Sequence, residues 1–437
     1  MNDKIIVGLD IGTTKICAIV GRLDNFGKLE IIGMGKAESQ GVKDGVVSNI
    51  SKTTVSITEA IAEAEKNSGI EIRVVNVGIA GKHIRSYIHK GSITRSRNDD
   101  EITIEDVNRL TNDMYRTVTT PGSEIIHVMP QHYTVDYEEN VKDPVGMAGV
   151  KLEADFHIIT AQTNAVKNIK RAVERAGLQI DNIILEPLAS SLSVLSDEEK
   201  EAGIAIVDMG GGTTDIAIFY DGIIRHTAVI PFGGEIITSD IKQGCSVLES
   251  QAEQLKVLFG SSLPAATPEN VMVSIPGLRD RPAKEISVKN LARIIEARVE
   301  EIIEMVYLEI VRSGYANKLA GGIVLTGGGA MLQGIRELFS LKTGLDTRIG
   351  YPNEHLGKSK HENVKNPMFA TSVGLVLAGF MTIDEREENY LKSPKVSSVE
   401  SYSYGSGGRR LSASSFLRDI LQKTKDLLID DFDDGKY

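Results

Sequence analysis

A glycine-rich hairpin pattern occurs twice in this sequence, far apart. The first copy is VGLDIGTTKICAIV, from Val7 to Val20, and the second is IVDMGGGTTDIAIF, from Ile206 to Phe219. Each reads as an apolar run, an Asp, a Gly-rich turn, a Thr-Thr pair and a second apolar run. The β-branched content and alternation of the runs predict strands. Glycines between them permit positive φ, so successive backbone N–H groups can converge on an anion. The threonine hydroxyls add donors. Asp10 and Asp208 end the strands, where a carboxylate can hold a hydrated Mg²⁺. One such turn alone is most simply a turn. Two copies predict an α/β chain of two related halves with a ligand cleft between them.

Length and composition set the outer limits. The 437 residues suffice for several domains, each with its own core. The net charge of −11 argues against a general nucleic-acid binder, so no nucleic-acid partner is expected. Two cysteines, Cys17 and Cys245, are too few for a disulfide framework and suit a reducing compartment. The start, MNDKIIVGLD, lacks the basic and apolar regions of a signal peptide. The apolar stretch from Met368 to Met381 is too short and too rich in Gly, Ser and Thr to span a bilayer, and predicts a buried helix.

The rest of the pattern predicts alternating elements. Strands are expected at Leu29–Gly35, Val74–Ala80 and Ile180–Leu185. A helix is expected from Asn49 to Asn67 with Ser51 as N-cap, and another from Asn164 to Ala176 closed by Gly177. Residues 85–163 predict a separate α+β block, with strands around Tyr87, Ile125 and Tyr133, a helix from Ile104 to Tyr115, and a closing strand at His157–Thr160. EPLASSLSVL reads as a helix with Pro187 at its start. Helices follow at Gly234–Gly244, Leu248–Phe259 and Leu291–Arg312, the last amphipathic with i,i+4 charge pairs. Residues 261–290 read as mixed strand and loop, punctuated by proline.

Several further residues are candidates for chemistry. Gly327, Gly328 and Gly329 end a strand before a helix start, which suits either close approach to a flat ligand or a tight turn. Glu253 and Lys256 share a helical face, as a nucleotide wall or a surface ion pair. Glu186 opens a helix joining the halves, where it could orient an attacking water or simply complement the macrodipole. The eight histidines show no metal-ligand spacing and are expected in structural or surface roles.

The end of the chain reads differently. Residues 383–412 are polar and rich in Ser and Gly, as expected of a disordered linker. Beyond it Phe416, Leu417, Ile420, Leu421, Leu427 and Leu428 recur at helical spacing, with Ser415 able to cap. This amphipathic helix over 413–429 would need a membrane surface, a protein groove or its own core to cover its apolar face. Residues 430–437 form an acidic tail.

GLDIGTTK, EPLASSLSVL, VDMGGGTTDIAI, GGIVLTGGGA and FATSVGLVLAG occur in this order. Together they resemble the actin/Hsp70/sugar-kinase ATPase superfamily, with its two phosphate loops, two connecting helices and adenosine loop. HVMPQHYTVD and DPVGMAGVKLEADFHIIT are similar to the FtsA family of bacterial cell-division actin homologues. So are DGVVSNI, DGIIRHTAVIPFGGEIITSDI, AEQLK and RIGYP.

The resemblance implies an actin-like ATPase fold of two RNase H-like halves with an inserted α+β subdomain, 1C, over 85–163. Subdomain 1A would take 1–84, 164–197 and 359–382; 2A would take 198–241 and 310–358; 2B would take 242–309. It implies ATP and Mg²⁺ as ligands. Asp10, Gly12, Thr13, Thr14 and Lys15 would face phosphates, with Asp208, Gly210, Gly211, Gly212, Thr213 and Thr214 as the opposing clamp. Gly327–Gly329, Glu253 and Lys256 would contact adenosine, and hydrolysis at Glu186 would be slow at most. Members polymerise, bind the C-terminal tail of FtsZ and attach it to the cytoplasmic face of the membrane at the septum.

The terminal helix departs from the family's basic pattern. Asp430, Asp431, Asp433 and Asp434 oppose anionic lipid and are only partly offset by Arg409, Arg410, Arg418, Lys423 and Lys425. A small-molecule kinase and a pilus-assembly actin relative are the competing readings. The kinase lacks a clear substrate-facing carboxylate beyond Glu186, and the DPVGM block favours FtsA over the pilus protein.

Overall fold

The computed structural model describes residues 4–95, 101–277, 282–357, 359 and 361–392. The terminal helix expected at 413–429 lies outside these. In the first half, β1 (Ile5–Ile11) and β2 (Lys15–Leu23) form the first glycine hairpin, paired antiparallel from Ile5↔Arg22 to Ile11↔Ile16. β3 (Leu29–Glu38) extends the sheet, and a short hairpin of β4 (Val42–Lys43) and β5 (Val46–Val47) follows. Helix α1 (Ile50–Ser68) buries Ile57, Ala60, Ile61 and Ala64. Its N-cap is Asn49, whose side chain accepts from the Lys52 amide at 3.1 Å, and not Ser51. Both are good caps by type, and the Asn sits where the backbone is still extended. β6 (Val74–Ile79) then pairs parallel with β1.

The inserted block comprises β7 (Arg85–Thr94), α2 (Ile104–Tyr115), β8 (Ser123–Val135), β9 (Glu138–Val141) and β10 (Lys151–Gln162). Their sheet order is β7-β10-β8-β9, over a core that includes Leu110, Val128, Leu152 and Phe156. The two strands expected around Ile125 and Tyr133 are one. Pro130, which cannot donate to a ladder, sits opposite Phe156 at a register shift that absorbs it. The block also touches the second half through strand residues 223–230. Gln131 Nε2 donates to the Ile224 carbonyl at 2.8 Å, Ser86 Oγ donates to the Thr227 carbonyl at 3.0 Å, and His157 Nε2 lies 3.1 Å from Thr227 Oγ1.

The chain returns through α3 (Thr163–Arg175) and β11 (Gln179–Leu185), which completes a first sheet of order β11-β6-β1-β2-β3. It crosses to the second half through α4 (Glu186–Val194) and α5 (Asp197–Ala202). There β12 (Ile204–Met209), β13 (Thr214–Tyr220) and β14 (Ile223–Ile230) repeat the hairpin and its flanking strand. Helices α6 (Gly234–Cys245) and α7 (Glu249–Phe259), the small hairpin β15 (Met272–Ile275) and β16 (Lys284–Ser287), and α8 (Val288–Arg312) follow. α8 starts ahead of the expected Leu291 because Ser287 Oγ accepts from the Asn290 amide. β17 (Ile323–Thr326), α9 (Ile335–Thr343) and β18 (Thr347–Ile349) finish a sheet of order β14-β13-β12-β17-β18. Both sheets thus carry an antiparallel hairpin beside parallel strands.

The last helix, α10 (Ala370–Lys392), crosses back and lies on β1 and α4. It covers the expected buried helix but runs ten residues beyond 382, into the segment read as linker. TIDEREENYLK is polar yet full of strong helix formers, so propensity continues what burial begins. α10 meets α4 almost backbone to backbone. A Cβ on Gly374 would lie 1.8 Å from the Ala189 carbonyl oxygen, and Ser193 Oγ donates to the Ala370 carbonyl at 2.7 Å. Gly374→Ala therefore forces the helices apart. It is expected to destabilise the chain by roughly 3 kcal/mol, read as a lowered midpoint in urea; an unchanged midpoint would mean that the crossing gives way easily.

Candidate functional site

The two Gly-Thr-Thr turns face each other. A Cβ on Gly211 would lie 2.4 Å from Thr14 Cγ2, and one on Gly212 would lie 2.6 Å from Thr13 Oγ1. The glycines let the loops approach until backbone meets threonine. The two turns are equally long, four residues between Ile11 and Ile16 and four between Met209 and Thr214, and the second binds the start of α6. The Gly234 amide donates to the Gly210 carbonyl at 2.9 Å, and the Glu235 amide donates to the Gly211 carbonyl at 2.8 Å. Thr214 Oγ1 donates to the Phe232 carbonyl at 2.8 Å, tying the hairpin to the same segment. Gly12 permits the tight first turn, since a Cβ there would lie 2.9 Å from the Lys15 carbonyl oxygen.

Beside the loops opens a cleft of about 850 Å³, lined by Thr13, Thr14, Lys43, Gly211, Gly212 and Glu253 among others. The β4–β5 hairpin forms one wall. Asp44 and Gly45 both have positive φ, as an Asp-Gly type I′ turn requires. The Gly45 amide donates to Thr13 Oγ1 at 3.1 Å, joining this hairpin to the first loop. Sequence reading quoted DGVVSNI only for its resemblance and did not place it at this wall, although Asp-Gly between Val42–Lys43 and Val46–Val47 signals a tight hairpin.

Below the loops lies a buried set of acids around one lysine. Lys15 Nζ is 3.6 Å from Asp10 Oδ2 and 5.6 Å from the centre of the Phe369 ring. Burial works to lower the Lys15 pKa, yet Asp10, Cys17, Asp208 and Glu186 together leave it raised. Glu186 titrates well above the usual carboxylate range, because it is desolvated and faces Asp10, Asp215 and Asp208. Asp208 is also raised by burial, opposed by hydrogen bonds from Ser190 and Thr371. Asp215 is pushed up to about 7 by burial and by Asp208. Its Oδ2 accepts from Thr213 Oγ1 at 2.8 Å, while its Oδ1 is buried without a partner.

Several acids against one ammonium, with one unsatisfied oxygen, fit a divalent cation. Among the described residues no three His, Cys, Asp or Glu side chains form a metal cage. Mg²⁺ does not need one, since it is held by one or two carboxylates with waters and phosphates. Asp10 and Asp208 fit that role.

The remaining candidates divide. Glu253 lines the cleft, but Lys256 does not. Its ammonium is held by Glu253 at 2.7 Å, the Gly234 carbonyl at 2.9 Å and Thr238 Oγ1 at 2.8 Å. Gly327, Gly328 and Gly329 also stand outside the cleft lining, behind Asp208 and Met209. A Cβ on Gly327 would lie 2.3 Å from Asp208 Oδ1, so this glycine makes room for the carboxylate. Asp215, Ser190, Thr371 and Ser372 were not singled out from sequence. The available signal was three serines in the fully buried stretch Pro187–Val194.

Two mirrored sheets gripping a cleft through paired phosphate-loop hairpins define the actin-like ATPase fold. Solved structures of similar architecture include a PilM–PilN type IV pilus biogenesis complex (TM-score 0.61, 16% identity, covering 86% of this chain and 98% of that one). MreB5 of Spiroplasma citri bound to ADP is another (TM-score 0.54, 16% identity, 88% and 99% coverage). At that identity the likeness is of fold alone. A family model described as "Cell division protein FtsA" matches residues 205–374, and one described as "SHS2 domain inserted in FTSA" matches residues 81–160. The cell division protein FtsA of Pseudomonas aeruginosa is 42% identical over 377 residues, covering 86% of this chain and 89% of the relative. That of Escherichia coli K12 is 37% identical over 383 residues (86% and 90%), and that of Bacillus subtilis 36% over 376 residues (86% and 83%). The chain belongs to the FtsA family.

The acid cluster sets a pH dependence. A carboxyl whose native pKa is raised keeps a proton that the unfolded chain releases, so stability falls as pH rises. For Asp215 the fall runs from the ordinary carboxylate range to about 7 and then levels off. In EDTA and without nucleotide, Asp215→Asn should raise the melting temperature more at pH 8 than at pH 5. An equal effect at both values would remove Asp215 from this account.

Proposed function

We propose that the chain is an ATP-binding, actin-like cell-division protein that polymerises and tethers FtsZ to the cytoplasmic membrane. The observation that carries this reading is the contact of the two threonine turns above the acid cluster. Hydroxyls of Thr13 and Thr14 and backbone amides of both turns would hold the phosphates, with Lys15 beneath them, while Thr213 and Thr214, whose hydroxyls go to Asp215 and the Phe232 carbonyl, would brace the second turn. Asp10 and Asp208 would hold Mg²⁺, which supplies charge neutralisation on the phosphates. Glu186, in the acid cluster below the loops, would orient a water. Desolvation and the neighbouring acids favour its protonated form until positive charge enters the site, which suits slow hydrolysis and ATP as an assembly ligand. The fold relative MreB5 is solved with ADP, and this supports a nucleotide here.

Partners follow from the family. The chain would bind the FtsZ C-terminal tail, itself in a protofilament, and lipid through Phe416, Leu417, Ile420, Leu421, Leu427 and Leu428. Among the described residues no helix is long and apolar enough to cross a membrane. A peripheral position at the septum, on the cytoplasmic face, fits this reading. The acidic tail makes single-helix attachment weak, and a filament linking many helices supplies avidity.

Two measurements test this. Electron microscopy on lipid monolayers with ATP should show filaments for the full chain, while removal of residues 413–437 should leave ATP binding intact and abolish lipid recruitment. Equal recruitment of the truncated chain would refute the anchor. Gly212→Ala places a Cβ against Thr13 and should weaken binding of a fluorescent ATP analogue by about tenfold or more, in line with the cost of misplaced backbone at a phosphate loop. Undiminished binding would move the nucleotide elsewhere.

A further inference from the structure

Two neighbouring side chains at the start of α10 hold the two repeat aspartates. Ser372 Oγ donates to Asp10 Oδ2 at 2.9 Å, and Thr371 Oγ1 donates to Asp208 Oδ2 at 2.9 Å. Asp10 ends β1 of the first sheet, and Asp208 lies at the end of β12 in the second. One helical turn therefore touches an acid from each half. Ser190 of α4 donates to the same Asp208 oxygen at 2.6 Å and lies 2.9 Å from Thr371 Oγ1. All five side chains are buried.

These hydroxyls had an easier alternative. Buried Ser and Thr in helices commonly donate to a carbonyl of the preceding turn. Ser191 does so to Leu188, and Thr382 does so to Ala378. Ser190, Thr371 and Ser372 instead converge on carboxylates. Two donors on Asp208 Oδ2 fix the plane of that group and direct Oδ1 into the space left by Gly327. α4 and α10 are themselves fastened by the Gly374–Ala189 approach and by the Ser193 hydrogen bond. The hydroxyls thus sit on the one pair of helices through which the chain passes between halves.

We propose that Ser190, Thr371 and Ser372 are positioning residues that fix the spacing of Asp10 and Asp208 and so link Mg²⁺ affinity to the α4–α10 crossing. This rests on the nucleotide reading given above. If the hydroxyls only satisfied buried acids, their loss would lower stability and leave the metal dependence of nucleotide binding unchanged.

The test uses the full chain and a fluorescent ATP analogue, titrated with Mg²⁺ and repeated in EDTA. Thr371→Val and Ser190→Ala should each raise the Mg²⁺ midpoint roughly 10- to 100-fold, the usual cost of losing a partner of a metal-facing group. Binding in EDTA should be unaltered, and Thr371→Ser should restore the midpoint. In the nucleotide-free chain, hydrogen exchange around 204–213 should quicken in Thr371→Val. Wild-type midpoints in both hydroxyl-deletion variants would overturn the proposal, as would a lowered melting temperature with no midpoint change. Should Thr371→Val fail to fold, Ser190→Ala decides alone. A wild-type chain that binds no analogue would refute the nucleotide reading, and the exchange measurement would then decide whether the hydroxyls tie the halves together.

Discussion

The close crossing of α4 and α10 is the contact on which the rest of the molecule depends. Each helix carries the chain from one half to the other, and glycine at position 374 lets them meet at the Ala189 carbonyl. The same crossing brings Ser190, Thr371 and Ser372 to the acids at the strand ends. The two glycine-rich turns lie just above. The helix crossing below and the direct contact of Gly211 and Gly212 with Thr14 and Thr13 together set the separation of the loops. Close-packed interiors switch between discrete arrangements and do not deform smoothly.

The acid cluster adds an electrostatic constraint. Glu186, Asp208 and Asp215 are all desolvated and mutually repulsive, with Lys15 as their cation. Without added positive charge such a site holds protons that an exposed carboxylate would give up. The arrangement costs stability once the pH rises above the ordinary carboxylate range. Strained or repulsive groups of this sort are maintained by the surrounding packing.

Much of the architecture was legible in the sequence because it follows local rules. The two hairpins, the inserted block and the capped helices all carry periodicity or turn chemistry that a reader can count. Boundaries shifted where two rules competed, as with Asn49 against Ser51, or where a register shift let Pro130 remain inside a strand. The helix beyond 382 was missed because polarity suggested a linker while propensity favoured helix. The loops of the site were equally visible. The residues beneath them were not, since Ser190, Thr371 and Ser372 look like small packing residues until tertiary contact supplies their partners. Lys256 shows the reverse case. Its pairing with Glu253 was foreseeable from spacing, but its capture by the Gly234 carbonyl depends on how α6 meets α7.

The inserted block belongs by chain order to the first half, yet Gln131, Ser86 and His157 bond to β14 of the second. That strand leads directly to Phe232 and Gly233 at the rim of the cleft. The block is therefore tied to both halves. Any change in the angle between the halves would have to carry this seam along or break these hydrogen bonds.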